Sequence, residues 1–520
     1  MAKWFNVKGP CIPSKHYMVN IVKRLGAMKK LIDREEYFVI NRGRQYGKTT
    51  TIVALKDYLA GDYTVISINF QAFGTSNFIN EENFCRGFIS AITGQFELLG
   101  VTRNEPDKEV TTISELGQYI AMICKNRKVV LMIDEVDRAS NYRVFLDFLG
   151  ILRAKYQARG NGTDPTFHSV ILVGVYDIKN IKLKMIRAGV YQLGAAEDAN
   201  DSPWNIAENF NEAMEFLAPE IAGMLTDYED EHQTGMDIAE VAEEIYAFTS
   251  GYPFLVSRIC QYIDEKLERN WTRLGVAEAV KLILGSPLPN TLFDDLFKNI
   301  RNNQALSNFL YQILMQQKRF EFSIGDEVIE VGLRYSFIRV ADHEVKIHNK
   351  MFEILISRYF ISKERREGKV LIDVPFEAEV VSGEHFNIEL FFEKFNAHYQ
   401  REYAKRDKSF LEREATFLFL FFLQPYLNGK GFYYPQTQAN HATGKRLDVV
   451  INYGGKEYIV ELKVWNGPAY QMKAYEQLIG YMENRGVEEG YLLIFDFRSK
   501  KEVKHEWIEV HGKSILEVQV

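Results

Sequence analysis

The sequence predicts an α/β chain of several domains, and three local patterns carry the prediction. Residues 37–59 run from an apolar "YFVI" through a loop containing Gly and Arg into "TTTIVALKDYL", where Ile52, Leu55 and Leu59 recur at helical spacing. Residues 128–135 form an apolar run closed by Asp134-Glu135, and residues 445–467 hold two β-rich runs around Gly454-Gly455. A chain of 520 residues exceeds what one hydrophobic core organises, so about two to four domains are expected. Its 46% hydrophobic and 26% charged residues build such cores without a disordered bias. A net charge of -7 leaves no global basic footprint, so nucleic acid has to be met by a local patch.

The first pattern reads strand, tight loop, helix, with Gly61 stopping the helix. In that setting Gly47-Lys48-Thr49-Thr50 forms the heart of a phosphate-binding loop. Backbone N–H groups and the helix N-terminus face the anion, Lys48 reaches the β and γ oxygens, and Thr49 ligates Mg²⁺. The strict pattern G-x-x-x-x-G-K-[ST] asks for glycine at position 42; this chain has Arg42, with Gly43 one place later. The candidate nucleotide-binding residues are thus Arg42 and Gly43, the loop residues Arg44, Gln45 and Tyr46, and the Gly47-Lys48-Thr49-Thr50 turn. Against an ordinary Gly-Lys turn stands the second pattern. The strand Val129–Ile133 delivers Asp134 beside the metal and Glu135 to orient or deprotonate the attacking water.

Two further strand candidates lie at 63–70 and 168–178. The strand at 63–70, between the two motifs, is expected to sit between their strands, as in the additional-strand class of P-loop NTPases to which AAA+ and STAND proteins belong. Tyr176 and Asp177 are the polar groups at the end of the late strand, where a γ-phosphate sensor or a plain strand terminus would stand.

Taken together, "CIPSKHYMV", "FVINRGRQYGKTTT", "IDEVDRASN", "SVILVGVYDIKNIK", "SPWNIAENF" and "TSGYPFLVSRIC" resemble the prokaryotic AAA-ATPase-like family that carries a PD-(D/E)xK nuclease-like domain at its carboxyl end. The resemblance covers nearly the whole chain, and arginine at the place of Arg42 is usual in that family. It implies an AAA/STAND-like P-loop ATPase domain at 1–235, a helical lid and winged-helix-like region at 236–370, and a nuclease-like domain at 371–520.

The residues of the middle region agree with that division. Residues 236–268 read as two amphipathic helices broken at Gly251-Tyr252-Pro253, either a lid over the nucleotide or a plain helical hairpin. Helices around "ALSNFLYQILMQ" precede short strands in "VIEVGLRYSFIRVADHEVKIHN", a winged-helix-like order whose hairpin is not strongly basic. The charged "SRYFISKERREGK" at 357–369 reads as a linker.

In the carboxyl-terminal part the Gly454-Gly455 loop sets a hairpin register. Tyr453 pairs with Lys456, and counting outward sets Asp448 opposite Glu461. Alternation then puts Glu461 and Lys463 on one face and Val460, Leu462 and Val464 on the other. Two carboxylates and a lysine suit metal-dependent phosphodiester hydrolysis: Asp448 and Glu461 hold Mg²⁺ or Mn²⁺, while Lys463 positions the nucleophile or stabilises developing charge. This is the D...ExK signature of the PD-(D/E)xK fold with Leu447 in place of proline. A helix at 411–427 offers Glu414, or alternatively Glu412, and a helix at 474–482 offers Gln477 and Tyr481. With the strand "GYLLIFDF" they complete an αβββαβ order. The competing readings are a surface hairpin with a solvated Glu–Lys pair, and an intact but catalytically silent docking module.

The expected activity is ATP binding and hydrolysis, with Mg²⁺, coupled to a nuclease acting on nucleic acid, DNA rather than RNA. The alternative is a nucleotide-switched signalling or scaffold ATPase. Analogy with prokaryotic nucleases joined to ATPases points to genome defence or mobile-element biology. A homo-oligomer is an expected partner state, and no membrane is expected: "FLFLFFL" at 417–423 is too short to span one and no apolar leader opens the chain. Cys11, Cys85, Cys124 and Cys260 form no CxxC pair and fit reduced thiols of a cytoplasmic protein.

Overall fold

The computed structural model describes residues 3–102, 106, 108–160, 162, 164–175, 185, 186, 204, 206–286, 290–316, 318–367, 379–402, 408–427, 431–436, 447–498 and 504–520. Its contacts divide the chain into two compact units. One comprises Met1–Gln233, Gly251–Gln261 and Arg334–Ser336; the other comprises Thr234–Ser250, Tyr262–Leu333 and Phe337–Val520.

The first unit is built on a parallel sheet of β1 (Phe38–Asn41), β2 (Thr64–Asn69), β3 (Val129–Asp134), β4 (Ser169–Gly174) and β5 (Glu208–Asn209). The strand order is β2-β3-β4-β1-β5, with every neighbouring pair parallel. All six residues of β3 and all six of β4 are buried, as continuous apolar runs in a two-sided parallel sheet require. The expected inserted strand is corrected here. The strand between the loop-bearing β1 and the Asp134-bearing β3 is β4, and β2 lies on the far side of β3. Sequence adjacency misled because parallel strands are joined by crossovers that skip places in the sheet. Tyr176 and Asp177 lie outside the described residues.

Helices α1 (Lys48–Leu59), α2 (Glu81–Leu98), α3 (Ile113–Cys124) and α4 (Arg143–Gly160) accompany this sheet. The Asn80 side chain caps α2, and Thr112 with Glu115 forms a capping box on α3, satisfying amides that a helix start leaves open. Phe84 and Phe88 of α2 meet Phe148 of α4 at ring-centroid distances of 5.1 and 4.8 Å in a core that also holds Leu131 and Ile133.

Helices α5 (Ile238–Thr249) and α6 (Pro253–Lys266) flank the expected Gly251-Tyr252-Pro253 break. The segment read as short strands begins instead with a helix, α7 (Glu327–Arg334). Only then comes the hairpin β6 (Ile338–Ala341) and β7 (Glu344–Ile347). Most of the proposed linker is also helical: 357–366 belongs to α8 (Lys350–Arg366), whose Ser357, Phe360 and Ile361 are buried, so this stretch packs as part of a core helix.

Toward the carboxyl end, α9 (Lys408–Leu427), β8 (Gly431–Gln436), β9 (Leu447–Tyr453), β10 (Lys456–Val464), α10 (Pro468–Arg485) and β11 (Glu489–Phe495) follow an αβββαβ order. The hairpin β12 (Lys504–Val510) and β13 (Lys513–Gln519) extends the sheet to six strands, ordered β8-β9-β10-β11-β13-β12. The run 417–423 is buried residue by residue inside α9, which is how a helix apolar all round is accommodated. Among the described residues no helix is long and apolar enough to cross a membrane, and the four cysteines are free thiols.

Candidate functional site

The carboxyl ends of β1, β3 and β4 meet, since Asn41 is paired with Gly174 and β3 ends at Asp134. From Asn41 the chain turns through Gln45 and Gly47, whose φ values of 57° and 78° are left-handed, into α1 with Gly47 as its N-cap. Lys48 is buried and donates from Nζ to the carbonyls of Arg42 at 2.9 Å and Gly43 at 2.8 Å. Two of its three ammonium donors are thus fixed by neutral backbone oxygens. Burial holds its pKa below the ordinary lysine value, while Glu135, Asp137 and Asp134 pull it back up.

The Thr49 hydroxyl donates to Asp134 Oδ2 at 2.9 Å. That spacing is close to the edge of an octahedron with metal–oxygen bonds of ~2.1 Å, so these two hard oxygens fit the same Mg²⁺. Asp134 is buried, and its Oδ1 accepts the Glu135 amide at 2.9 Å. Glu135 sits at φ 57°, a left-handed conformation rare outside glycine and found disproportionately at functional sites. Burial, then the charge of Asp134, raises its pKa. A carboxylate with raised pKa beside a metal-type pair is suited to receive a proton from water.

Arg42, Tyr46 and Thr50 engage other parts of the protein through their side chains, while the charge of Arg44 is felt at both Lys48 and Glu135. The Arg42 guanidinium donates to the carbonyls of Asn41 and Glu212 at 2.9 and 3.1 Å. The Tyr46 ring is buried edge-on to Tyr252 at 4.6 Å, with its hydroxyl donating to Glu215 at 2.7 Å. Tyr252 in turn donates to the Arg44 carbonyl at 2.5 Å. The Thr50 hydroxyl accepts the Cys11 amide at 3.0 Å. What Arg42 and Tyr46 can offer a phosphate is therefore backbone rather than side chain.

Sequence reasoning gave no role to Asp137, whose carboxylate accepts the Val175 amide at 2.6 Å at the end of β4. Gly174 is glycine for a matching reason: a Cβ there would lie 2.9 Å from Asp137 Oδ1. The signal was present three residues beyond Asp134, in "IDEVD".

In the carboxyl-terminal sheet the expected register is observed, with Asp448 opposite Glu461 and Tyr453 opposite Lys456. Gly454 and Gly455 have φ of 58° and 79°, as a two-residue hairpin loop of that kind demands. The solvated-surface reading is overturned. Glu461 is 0% and Lys463 6% exposed because β10 is an interior strand with both faces covered. The two side chains form an ion pair, and among the described residues neither Glu461 oxygen receives a hydrogen bond of proper geometry. Asp448 is placed by its backbone, and Glu414 and Glu412 by their helix α9. On α10, Gln477 keeps a buried carbonyl oxygen without a hydrogen-bond partner among the described residues, and Tyr481 is buried.

The row through Asp448 and Glu461 continues across Leu492 to Glu517 on β13, another carboxylate missed in the sequence. Glu517 accepts from Gln471 at 2.7 Å and from Tyr475, and pairs with Lys504 at 3.4 Å. Among the described residues no group of three or more His, Cys, Asp or Glu side chains is placed to hold a metal.

The parallel sheet, the lysine anchored in a glycine-bounded loop and the Thr49–Asp134–Glu135 set define an ATP-binding P-loop of the ATPase type. The chain belongs to the AAA-like domain family, which matches residues 14–360. It is also similar, at 20% identity over 356 residues, to an uncharacterized WD repeat-containing protein of Synechocystis sp., covering 62% of this chain and 27% of that protein. It thus spans about a quarter of that relative's length. Among solved structures, the Walker-type ATPase of Pyrococcus abyssi is 11% identical, covering 68% of this chain and 99% of that one, with a TM-score of 0.47. The Aeropyrum pernix ORC2 protein is 11% identical over 68% and 96% of the two chains, with a TM-score of 0.32.

Proposed function

We propose that the protein hydrolyses ATP with Mg²⁺ and couples the nucleotide cycle to metal-dependent cleavage of nucleic acid, DNA rather than RNA, by its carboxyl-terminal module. The ATPase half rests on the 2.9 Å Thr49–Asp134 contact, with Glu135 beside it as base and Lys48 anchored toward the phosphates. The backbone N–H groups from Arg44 to Thr49 would line the cradle, with the Arg44 carbonyl held by Tyr252.

The nuclease half rests on one observation: Glu461 and Lys463 share a buried face of β10 directly across from Asp448. Two such carboxylates would hold Mg²⁺ or Mn²⁺, which polarises a phosphodiester, and Lys463 would face the phosphate. A second reading is favoured by the same ion pair. A carboxylate already neutralised by its own lysine also suits a silent docking module in a nucleotide-switched scaffold protein.

Incubating the purified protein with plasmid or single-stranded DNA, RNA, Mg²⁺ or Mn²⁺, and ATP or ADP separates the readings. Cleavage that needs metal and disappears in Asp448→Asn supports the nuclease; no cleavage under any combination supports the scaffold. Comparing cleavage in Lys48→Ala then tells gating from mere tethering.

A further inference from the structure

Gly43 has no left-handed backbone, so conformational freedom does not explain it. Space does. A Cβ at this position would lie 2.9 Å from both Ser336 Oγ and the Tyr335 carbonyl oxygen. The glycine absent from position 42 thus stands at 43 because a turn almost three hundred residues away in sequence lies against it. The contact is specific: the Gly43 amide donates to Ser336 Oγ at 3.3 Å, buried, and the Gly43 carbonyl accepts from Lys48 Nζ at 2.8 Å. Both polar groups of Gly43 are therefore engaged, one by Ser336 and one by the phosphate-binding lysine.

Ser336 is itself buried and holds φ 57°, a left-handed conformation that a non-glycine residue adopts only at an energetic cost. Glycine would take that conformation at less cost but carries no hydroxyl. The position thus keeps an oxygen where backbone preference favours its loss.

We infer that Ser336 is a positioning residue of the nucleotide site: through Gly43 it fixes the carbonyl that anchors Lys48. Its hydroxyl acts through the Gly43 amide. It sets the first half of the cradle, which the P-loop pattern ordinarily leaves to a glycine of the loop itself.

Two substitutions separate positioning from simple support. Ser336→Gly removes the oxygen while easing the backbone, and Ser336→Ala removes it without easing. Both are expected to weaken ATP binding in calorimetry by roughly three- to tenfold, the usual effect of one hydrogen bond. KM should rise in the same proportion with kcat nearly unchanged, because the cradle serves ground and transition states alike. For Ser336→Gly the Tm of the nucleotide-free protein should hold or rise.

In addition, Gly43→Ala should impair binding strongly in wild type and less in the Ser336→Gly background, where one of its two clashes is gone. Unchanged ATP affinity in both Ser336 variants would overturn the inference. So would an affinity loss in Ser336→Gly that merely tracks a fall in Tm.

Discussion

Lys48 and Lys463 are both buried and both stand beside carboxylates, yet their charges are met differently. Lys48 spends its hydrogen bonds on two backbone carbonyls, while Asp134 binds Thr49 and the Glu135 amide. Cation and anions share a site without cancelling one another. Lys463 instead pairs directly with Glu461. The first arrangement keeps opposite charges apart for a ligand that carries both phosphate and metal. In the second a ligand has to compete with an existing ion pair, and the low dielectric that strengthens such a pair makes opening it costly. Buried charge alone does not mark a poised site; what satisfies the charge does.

The comparison can be broken most decisively at Glu135. Glu135→Gln keeps shape and hydrogen bonding but removes the base, so ATP turnover should fall by about 10²- to 10⁴-fold with binding retained. Wild-type turnover measured by phosphate release would reduce Glu135 to a strand terminus. Lys48→Ala comes next: it removes the buried ammonium that the Arg42 and Gly43 carbonyls hold in place, and ATP affinity by calorimetry should drop by about two orders of magnitude. An unchanged affinity would remove the lysine from the cradle.

At the other centre, Glu461→Gln removes the carboxylate that pairs with the buried Lys463 ammonium and should destabilise the fold by about 3 kcal/mol in urea titration. The double variant Glu461→Leu, Lys463→Met should recover most of that loss, since an apolar pair of similar volume has no charge to desolvate. If the double variant is no better than the single one, the pair is not self-neutralising and the contrast with Lys48 fails.

The smallest effect is one of pH. Because burial and Asp134 raise the Glu135 pKa above its ordinary 4.5, the native state binds that proton more tightly than the unfolded chain. Its contribution to stability is full below the ordinary value and is lost as pH rises through the raised one. At neutral pH the ionised group therefore opposes folding, and Glu135→Gln should raise Tm there by about 2 °C, with the gain vanishing toward pH 4.

What could be read in the sequence was local. Gly47-Lys48-Thr49 and Asp134-Glu135 each lie within a few residues of a strand end, and the Gly454-Gly455 loop fixes the pairing of Asp448 with Glu461 by counting alone. What could not be read depends on the third dimension. The inserted strand β4 follows the Asp134 strand in sequence yet lies between that strand and β1 in the sheet. Arg42 and Tyr46 look like ligand side chains until Glu212 and Glu215 claim them. Glu461 and Lys463 look exposed by alternation because period two identifies a face, and only the full sheet shows that both faces are covered.

The partition of the chain between its two units has a practical consequence. The polypeptide passes from one unit to the other five times, and the first unit takes back Gly251–Gln261 and Arg334–Ser336 from within stretches that otherwise belong to the second. No single cleavage therefore releases a whole nucleotide site. A fragment ending at Gln233 keeps Lys48, Thr49, Asp134 and Glu135 but leaves behind Tyr252, which holds the Arg44 carbonyl, and Ser336, which holds the Gly43 amide. Gene fusions or truncations that preserve both sequence motifs would still carry a loop stripped of two of its supports.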